Sequence, residues 1–199
     1  RRDWLRSSLG IGGLLLAPPN ILSAQEKMDF IPRSLDPIIR LSSNENPYGP
    51  SKRVQQRIKN SFVHACRYPY AYSDDLELIL AKKHGVDPES IIVTGGSTEG
   101  LKITGLTFAS NGGEIISGQP TFLAMMKFAQ QWGASVNWVP VGADKGYDLD
   151  EIEKRISSKT KLVFLCNPNN PTGTLVPANK LIDFCNTASK KTIVFSDEA

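Results

Sequence analysis

Leu162-Val163-Phe164-Leu165-Cys166-Asn167-Pro168-Asn169-Asn170-Pro171-Thr172-Gly173 decides how the rest of this chain is read. The five apolar residues Leu162 to Cys166 read as a buried strand. The strand runs directly into Pro, Asn and Gly residues, which forbid further strand and force a shaped turn. In open α/β sheets, such turns at the C-terminal ends of parallel strands are where ligand chemistry is placed.

Working outward, strand and helix patterns alternate. Ile91–Thr94 is expected to be a strand, followed by the loop Gly95-Gly96-Ser97-Thr98-Glu99-Gly100 and a helix from Leu101 to Phe108. Strands are expected at Glu114–Ser117, Ser135–Val141, Leu162–Cys166 and Thr192–Phe195, with helices at Thr121–Trp132, Asp148–Ile156 and Ala178–Ser189 between them. This order predicts an α/β fold: a mostly parallel sheet with right-handed crossovers and helices on both faces. Upstream, Ser51 caps a helix marked by Val54, Ile58 and Phe62, and a second helix runs from Ser73 or Asp74 to His84, ended by Gly85.

The 199 residues are 40% hydrophobic and 22% charged, which fits a globular protein and excludes collagen-like, disordered and polytopic membrane classes. A net charge of +3 without a basic, aromatic-interleaved run argues against nucleic-acid binding. Cys66, Cys166 and Cys185 read as small apolar residues. His64 and His84 lack ligand spacing, so no metal is expected. Arg1-Arg2-Asp3-Trp4-Leu5, a short apolar run and Leu22-Ser23-Ala24 resemble a twin-arginine export signal. About nine apolar or small residues are too few for a stable membrane anchor. The expected division is an export signal over 1–24, an N-terminal arm and small-domain segment over 25–70, and a cofactor-binding α/β domain over 71–199. A periplasmic or exported location follows, with the cytoplasm as the alternative. The chain opens without Met and stops just after a strand, so a piece truncated at both ends is expected.

The loops at Gly95, Pro120 and Asn167 each follow an expected strand and belong on one rim, joined by Asp197. The loop at 95–100 is not a dinucleotide fingerprint, because Ser97 replaces a glycine, and it lacks the Lys of a phosphate-binding P-loop. It does offer two hydroxyls and backbone N–H groups at a helix start, suited to a phosphate. Taken alone, an ordinary Ser/Thr helix cap is the simpler reading. Asp197 closes an apolar strand and needs a cation or a hydrogen-bonded partner there. A phosphate site and an acid on one rim point to a ligand with a phosphate at one end and a protonated nitrogen at the other; pyridoxal phosphate is such a ligand.

Asn170-Pro171-Thr172-Gly173, followed by Asp197-Glu198-Ala199, resembles the fold-type I pyridoxal-phosphate aminotransferases. Within them, Asn44-Glu45-Asn46-Pro47-Tyr48-Gly49-Pro50-Ser51, Arg67-Tyr68-Pro69 and Pro120-Thr121-Phe122 are similar to the histidinol-phosphate aminotransferase group. The resemblance implies that Asp197 pairs with the pyridine nitrogen and that Asn170 hydrogen-bonds the phenolic oxygen. It implies that Ser97 and Thr98 hold the phosphate, with Glu99 part of the motif but not a ligand. Phe122 would stack on the ring, where the group often has Tyr. Tyr68 would reach the cofactor of a second subunit, making the unit a homodimer, and Asn46 and Tyr48 would help close the substrate pocket. Asn167 and Asn169 are expected to shape the loop.

The activity so implied moves an amino group between an amino acid, or a histidinol-phosphate-like amine, and a 2-oxo acid through a Schiff base. The Schiff-base Lys and the carboxylate-binding Arg of the family fall beyond Ala199, so this piece by itself is expected to be inactive. A lyase or decarboxylase of the same fold, or a binding protein that has lost the Lys, are the alternative readings.

Overall fold

A computed structural model describes residues 43–199. The expected export signal and the first part of the arm lie outside the described residues. The chain divides into two units, Arg1–Arg67 and Tyr68–Ala199, each described by itself.

In the first unit, Asn46 organises a turn: its Oδ1 accepts from Tyr48 N–H at 3.1 Å and its Nδ2 donates to the Gly49 carbonyl at 3.1 Å. Helix α1 (Lys52–Ser61) follows, with the Ser51 hydroxyl accepting from Val54 N–H as expected of its cap. A 3-10 turn spans Phe62–His64.

The second unit opens with α2 (Tyr70–His84), which starts earlier than expected because Tyr72 and Ser73 already donate to the Pro69 carbonyl. Gly85 ends it in the left-handed region at φ +68, where a side chain would be strained. The expected strand at Ile91–Thr94 is corrected by the structure. These residues belong to no strand, Ile92 is 83% exposed, and Val93 N–H is taken by the Glu77 carboxylate of α2 at 3.3 Å. β-branched residues favour extended backbone, but a strand also needs a neighbour for its N–H and C=O groups, and no described segment pairs with this one.

From Ser97 the alternation holds: α3 (Ser97–Ala109), β1 (Glu114–Gln119), α4 (Ala124–Gln130), β2 (Ser135–Pro140), α5 (Leu149–Arg155), β3 (Thr160–Cys166), α6 (Ala178–Ala188) and β4 (Ile193–Asp197). The four strands lie in the order β2-β1-β3-β4 and every pairing is parallel. Successive residues of the central strands face opposite sides and build two cores. Ile115, Leu162, Phe164 and Cys166 pack with Leu101 and Ala109 of α3 and with Met125, Met126 and Ala129 of α4. Ile116, Val163 and Leu165 pack with Ile152 of α5 and with Phe184 and Ala188 of α6. Helices therefore cover both faces, and burial of each large side chain contributes about 1.5–3 kcal/mol. That double burial explains why β3 reads as one unbroken apolar run.

All four strands point the same way, so Gln119, Pro140, Cys166 and Asp197 end on one rim. Helix α3 runs back along the sheet. The residues just after it hydrogen-bond to the start of β2, through Asn111 N–H to the Trp132 carbonyl at 2.9 Å and Ser135 N–H to the Gly113 carbonyl at 2.9 Å. Its 13 residues span roughly 20 Å, about the length of a six-residue strand. Its N-terminus is thereby placed at the same rim as Asp197.

Candidate functional site

Two of the three asparagines in the turn after β3 are consumed by the fold. Asn167 Oδ1 accepts from Val176 N–H at 2.8 Å, and Asn167 N–H donates to the Asp197 carbonyl at 2.8 Å. Asn169 is 3% exposed; its Nδ2 donates to the Pro120 carbonyl at 3.0 Å and to Thr172 Oγ1 at 2.8 Å, and its Oδ1 accepts from Tyr147. Asn170 differs. Its side chain is exposed and bonds to no described residue. Gly173, at φ +71, closes the turn by donating to the Asn169 carbonyl at 2.7 Å.

Asp197 ends β4 with 7% exposure. Its Oδ1 accepts from Ala199 N–H at 3.3 Å, and among the described residues no cation pairs with it. A buried carboxylate is stable when something positive or hydrogen-bonding meets it, and here the described residues supply one weak donor. The loop before α4 completes this part of the rim. Thr121 is buried, and Phe122 is half-buried against the core of α3 and α4. Helix α4 begins only at Ala124, three residues later than expected, because Thr121 spends its hydroxyl on Tyr147 at 2.7 Å.

At the start of α3 the simple Ser/Thr cap is absent. The N-cap is Gly96, at φ +97, with no side-chain cap. Ser97 and Thr98 are exposed and their hydroxyls bond to no described residue. Glu99 is occupied, since its Oε2 accepts from Gly95 N–H. Two hydroxyls and the first N–H groups of a 13-residue helix are left facing outward, the donor set an anion needs.

Tyr147, which the sequence reading passed over, sits beneath the turn. Its hydroxyl meets Thr121, donates to Asn169 Oδ1 at 2.8 Å and accepts from Cys166 N–H at 3.1 Å. Burial pushes its phenol above the ordinary value of 10.0; hydrogen bonds to Thr121 and Cys166 pull it down, and the charges of Cys166 and Asp197 add to the rise. Burial likewise raises the Cys166 thiol, with Asp197 adding to it. The available signal was Gly118, inside an otherwise bulky strand: a Cβ there would fall 2.3 Å from the Tyr147 ring.

Of the residues singled out, Asp197, Asn170 and Phe122 are drawn together by these bonds, and Ser97 and Thr98 share their rim. Tyr68 is 82% exposed and stacked on Tyr70, with centroids 5.5 Å apart. Asn46 and Tyr48 belong to the first unit, where Tyr48 is exposed and Asn46 is engaged in its own turn. A groove of about 650 Å³ beside α5 and α6, lined by Asp144, Asp150, Lys180 and Asp183, includes none of these residues.

Residues 36–199 match the family model described as "Aminotransferase class I and II". The chain belongs to that family. The chain is 35% identical over 165 residues to histidinol-phosphate aminotransferase 1 of Bacillus cereus, covering 83% of this chain and 44% of that protein. It is 38% identical over 162 residues to histidinol-phosphate aminotransferase 2 of Pasteurella multocida, covering 81% and 44%. The crystal structure of histidinol-phosphate aminotransferase from Sinorhizobium meliloti in complex with pyridoxal-5'-phosphate shares the fold, with TM-score 0.73 and 24% identity over 79% of this chain and 43% of that one. The chain spans about half the length of the curated relatives it matches.

Proposed function

We propose that the full-length protein is a pyridoxal-phosphate-dependent aminotransferase that moves an amino group from a histidinol-phosphate-like amine or an amino acid to a 2-oxo acid. The observation that carries this reading is the buried carboxylate of Asp197, without a cationic partner among the described residues, tied through Asn167 to a turn that exposes Asn170. When bound, the cofactor supplies an electron sink for bonds to the carbon bearing the amino group.

The residues present fit that group. Asp197 would hold a proton on the ring nitrogen, because a charged pair relieves the cost of burying a lone carboxylate. Asn170 would donate to the phenolic oxygen. Phe122 would cover one ring face, with no hydroxyl of its own to offer. Ser97, Thr98 and the N–H groups at the start of α3 would take the phosphate. Tyr68 is exposed and suited to reach a second copy of the chain, in keeping with a homodimer. Arg1-Arg2 supports export, which fractionation of tagged full-length protein would test.

The test is the absorbance and amino-transfer rate of purified full-length protein supplied with pyridoxal phosphate, histidinol phosphate and 2-oxoglutarate, with Asp197→Asn as the comparison. A bound chromophore and amino transfer are expected, with Asp197→Asn slowing transfer by about 100-fold or more, the scale of losing one electrostatic group at a reacting centre. Release of carbon dioxide or ammonia without amino transfer, or an unaffected Asp197→Asn, would overturn the reading.

A further inference from the structure

The hydroxyls beneath the turn form a chain whose direction is set by its ends. The Pro120 carbonyl can only accept, so the Asn169 atom facing it is Nδ2, and Oδ1 must face Tyr147. Tyr147 therefore donates its single proton to Asn169, which obliges Thr121 to donate to Tyr147 across 2.7 Å. At the other end, Thr174 Oγ1 donates to the Lys145 carbonyl at 2.9 Å, so Thr172 donates to Thr174 across 2.7 Å while accepting from Asn169. Every proton in the series Thr121, Tyr147, Asn169, Thr172, Thr174 has one place to go. Chains of this kind polarise one another and resist partial rearrangement.

Tyr147 is the link that joins three pieces of the rim. Its hydroxyl touches the loop carrying Phe122, the last residue of β3 and the turn carrying Asn170. Gly118 lets the Cδ1–Cε1 edge of its ring come close to β1, where an added Cβ would collide with it. Its raised pKa keeps the hydroxyl a donor through the neutral range.

We propose that Tyr147 is a positioning residue: its hydroxyl fixes the spacing between Phe122 and the Asn170 carboxamide, and so sets how Asn170 addresses the ligand between them. This rests on the aminotransferase reading above. Among the described residues the Asn170 side chain bonds to none, so its placement depends on the turn that Asn169 and Tyr147 anchor.

The test uses the full-length protein and Tyr147→Phe, which keeps the ring against Gly118 and removes only the hydroxyl. In cofactor-free protein, amide exchange at Asn169 and Gly173 is expected to rise about tenfold, the loss of roughly one net hydrogen bond, while residues 162–165 stay within about twofold of wild type. With pyridoxal phosphate, affinity is expected to fall about five- to tenfold, and the pH midpoint of the bound chromophore should move in the same direction as in Asn170→Ala. In an Asn170→Ala background, Tyr147→Phe should move that midpoint by less than half as much, because the two act through one contact. Thr121→Val, which removes one member of the chain, should repeat the exchange result in smaller measure. Unchanged exchange in the turn overturns the proposal. So does faster exchange with affinity and midpoint unmoved, since Tyr147 would then only support the fold. Wild-type protein that takes up no pyridoxal phosphate overturns the aminotransferase reading and the positioning role that rests on it, whereas normal wild-type uptake with affinity and midpoint unmoved in Tyr147→Phe overturns the positioning role alone.

Discussion

Gly118→Ala is a one-carbon change whose sign discriminates between two accounts of β1. If Gly118 were an ordinary strand glycine, alanine would stabilise by about 0.4–1 kcal/mol, because the unfolded chain loses freedom and the backbone here needs no positive φ. The structure predicts the opposite. The added Cβ would stand 2.3 Å from both Cδ1 and Cε1 of Tyr147, whereas carbon atoms rest at about 3.5–4 Å. The ring must retreat by more than about 1 Å, and its hydroxyl bonds of 2.7, 2.8 and 3.1 Å hold it in place. Either the clash is absorbed, at about 1–3 kcal/mol, or the ring moves and loses bonds worth about 1 kcal/mol each. Taking the cheaper route, and allowing for about 0.4–1 kcal/mol gained from the stiffer unfolded chain, leaves a net destabilisation of about 0.5–2.5 kcal/mol. Urea unfolding of cofactor-free full-length protein reads this as a lower midpoint at unchanged slope. In a Tyr147→Ala background the obstacle is gone, and Gly118→Ala should be neutral or stabilising. A neutral or stabilising Gly118→Ala in the wild-type background would refute the packing of Tyr147 on β1.

Neighbouring asparagines should separate cleanly: Asn169→Ala is expected to cost about 2–4 kcal/mol by orphaning buried partners, while Asn170→Ala stays within about 0.5 kcal/mol in urea unfolding and acts on pyridoxal phosphate uptake instead. Phe164→Ala, fully buried and stacked on Phe195 at 6.0 Å, should cost about 3–5 kcal/mol in the same measurement. The raised pKa values of Cys166 and Tyr147 mean that the folded state holds these protons more tightly than the unfolded one. Their contribution is therefore complete below the ordinary values of 9.0 and 10.0 and declines as pH rises through the folded values. Stability measured from pH 8 upward should fall across that alkaline range, and the gap between wild type and Tyr147→Phe should narrow as it does. A gap that stays constant with pH would count against a buried, protonated Tyr147.

Much of the α/β alternation was legible because it is written in local terms. The β3 run, the Ser51 cap and the Gly85 stop each depend on residues a few positions apart. Ile91–Thr94 shows the limit. Its residues favour extended backbone, yet strand membership depends on a neighbour that local sequence cannot name. The start of α4 failed for a similar reason: Thr121 is claimed by Tyr147, 26 residues away.

By itself, the sequence determined that a parallel sheet with covered faces would carry a turn of Asn and Pro, a hydroxyl-bearing helix start and an acid at a strand end. Periodicity and backbone restriction act over a few residues, so these features need no tertiary information. Only the tertiary structure decided that Asn169 is consumed while the Asn170 side chain bonds to no described residue, that Glu99 is occupied while the Ser97 and Thr98 hydroxyls bond to no described residue, and that Tyr147 joins the pieces. Those assignments rest on bonds such as Asn169 to Pro120 and Tyr147 to Asn169, which span 49 and 22 residues. A hydrogen-bond donor chooses its partner by distance in space, and the chain records that distance only once it has folded.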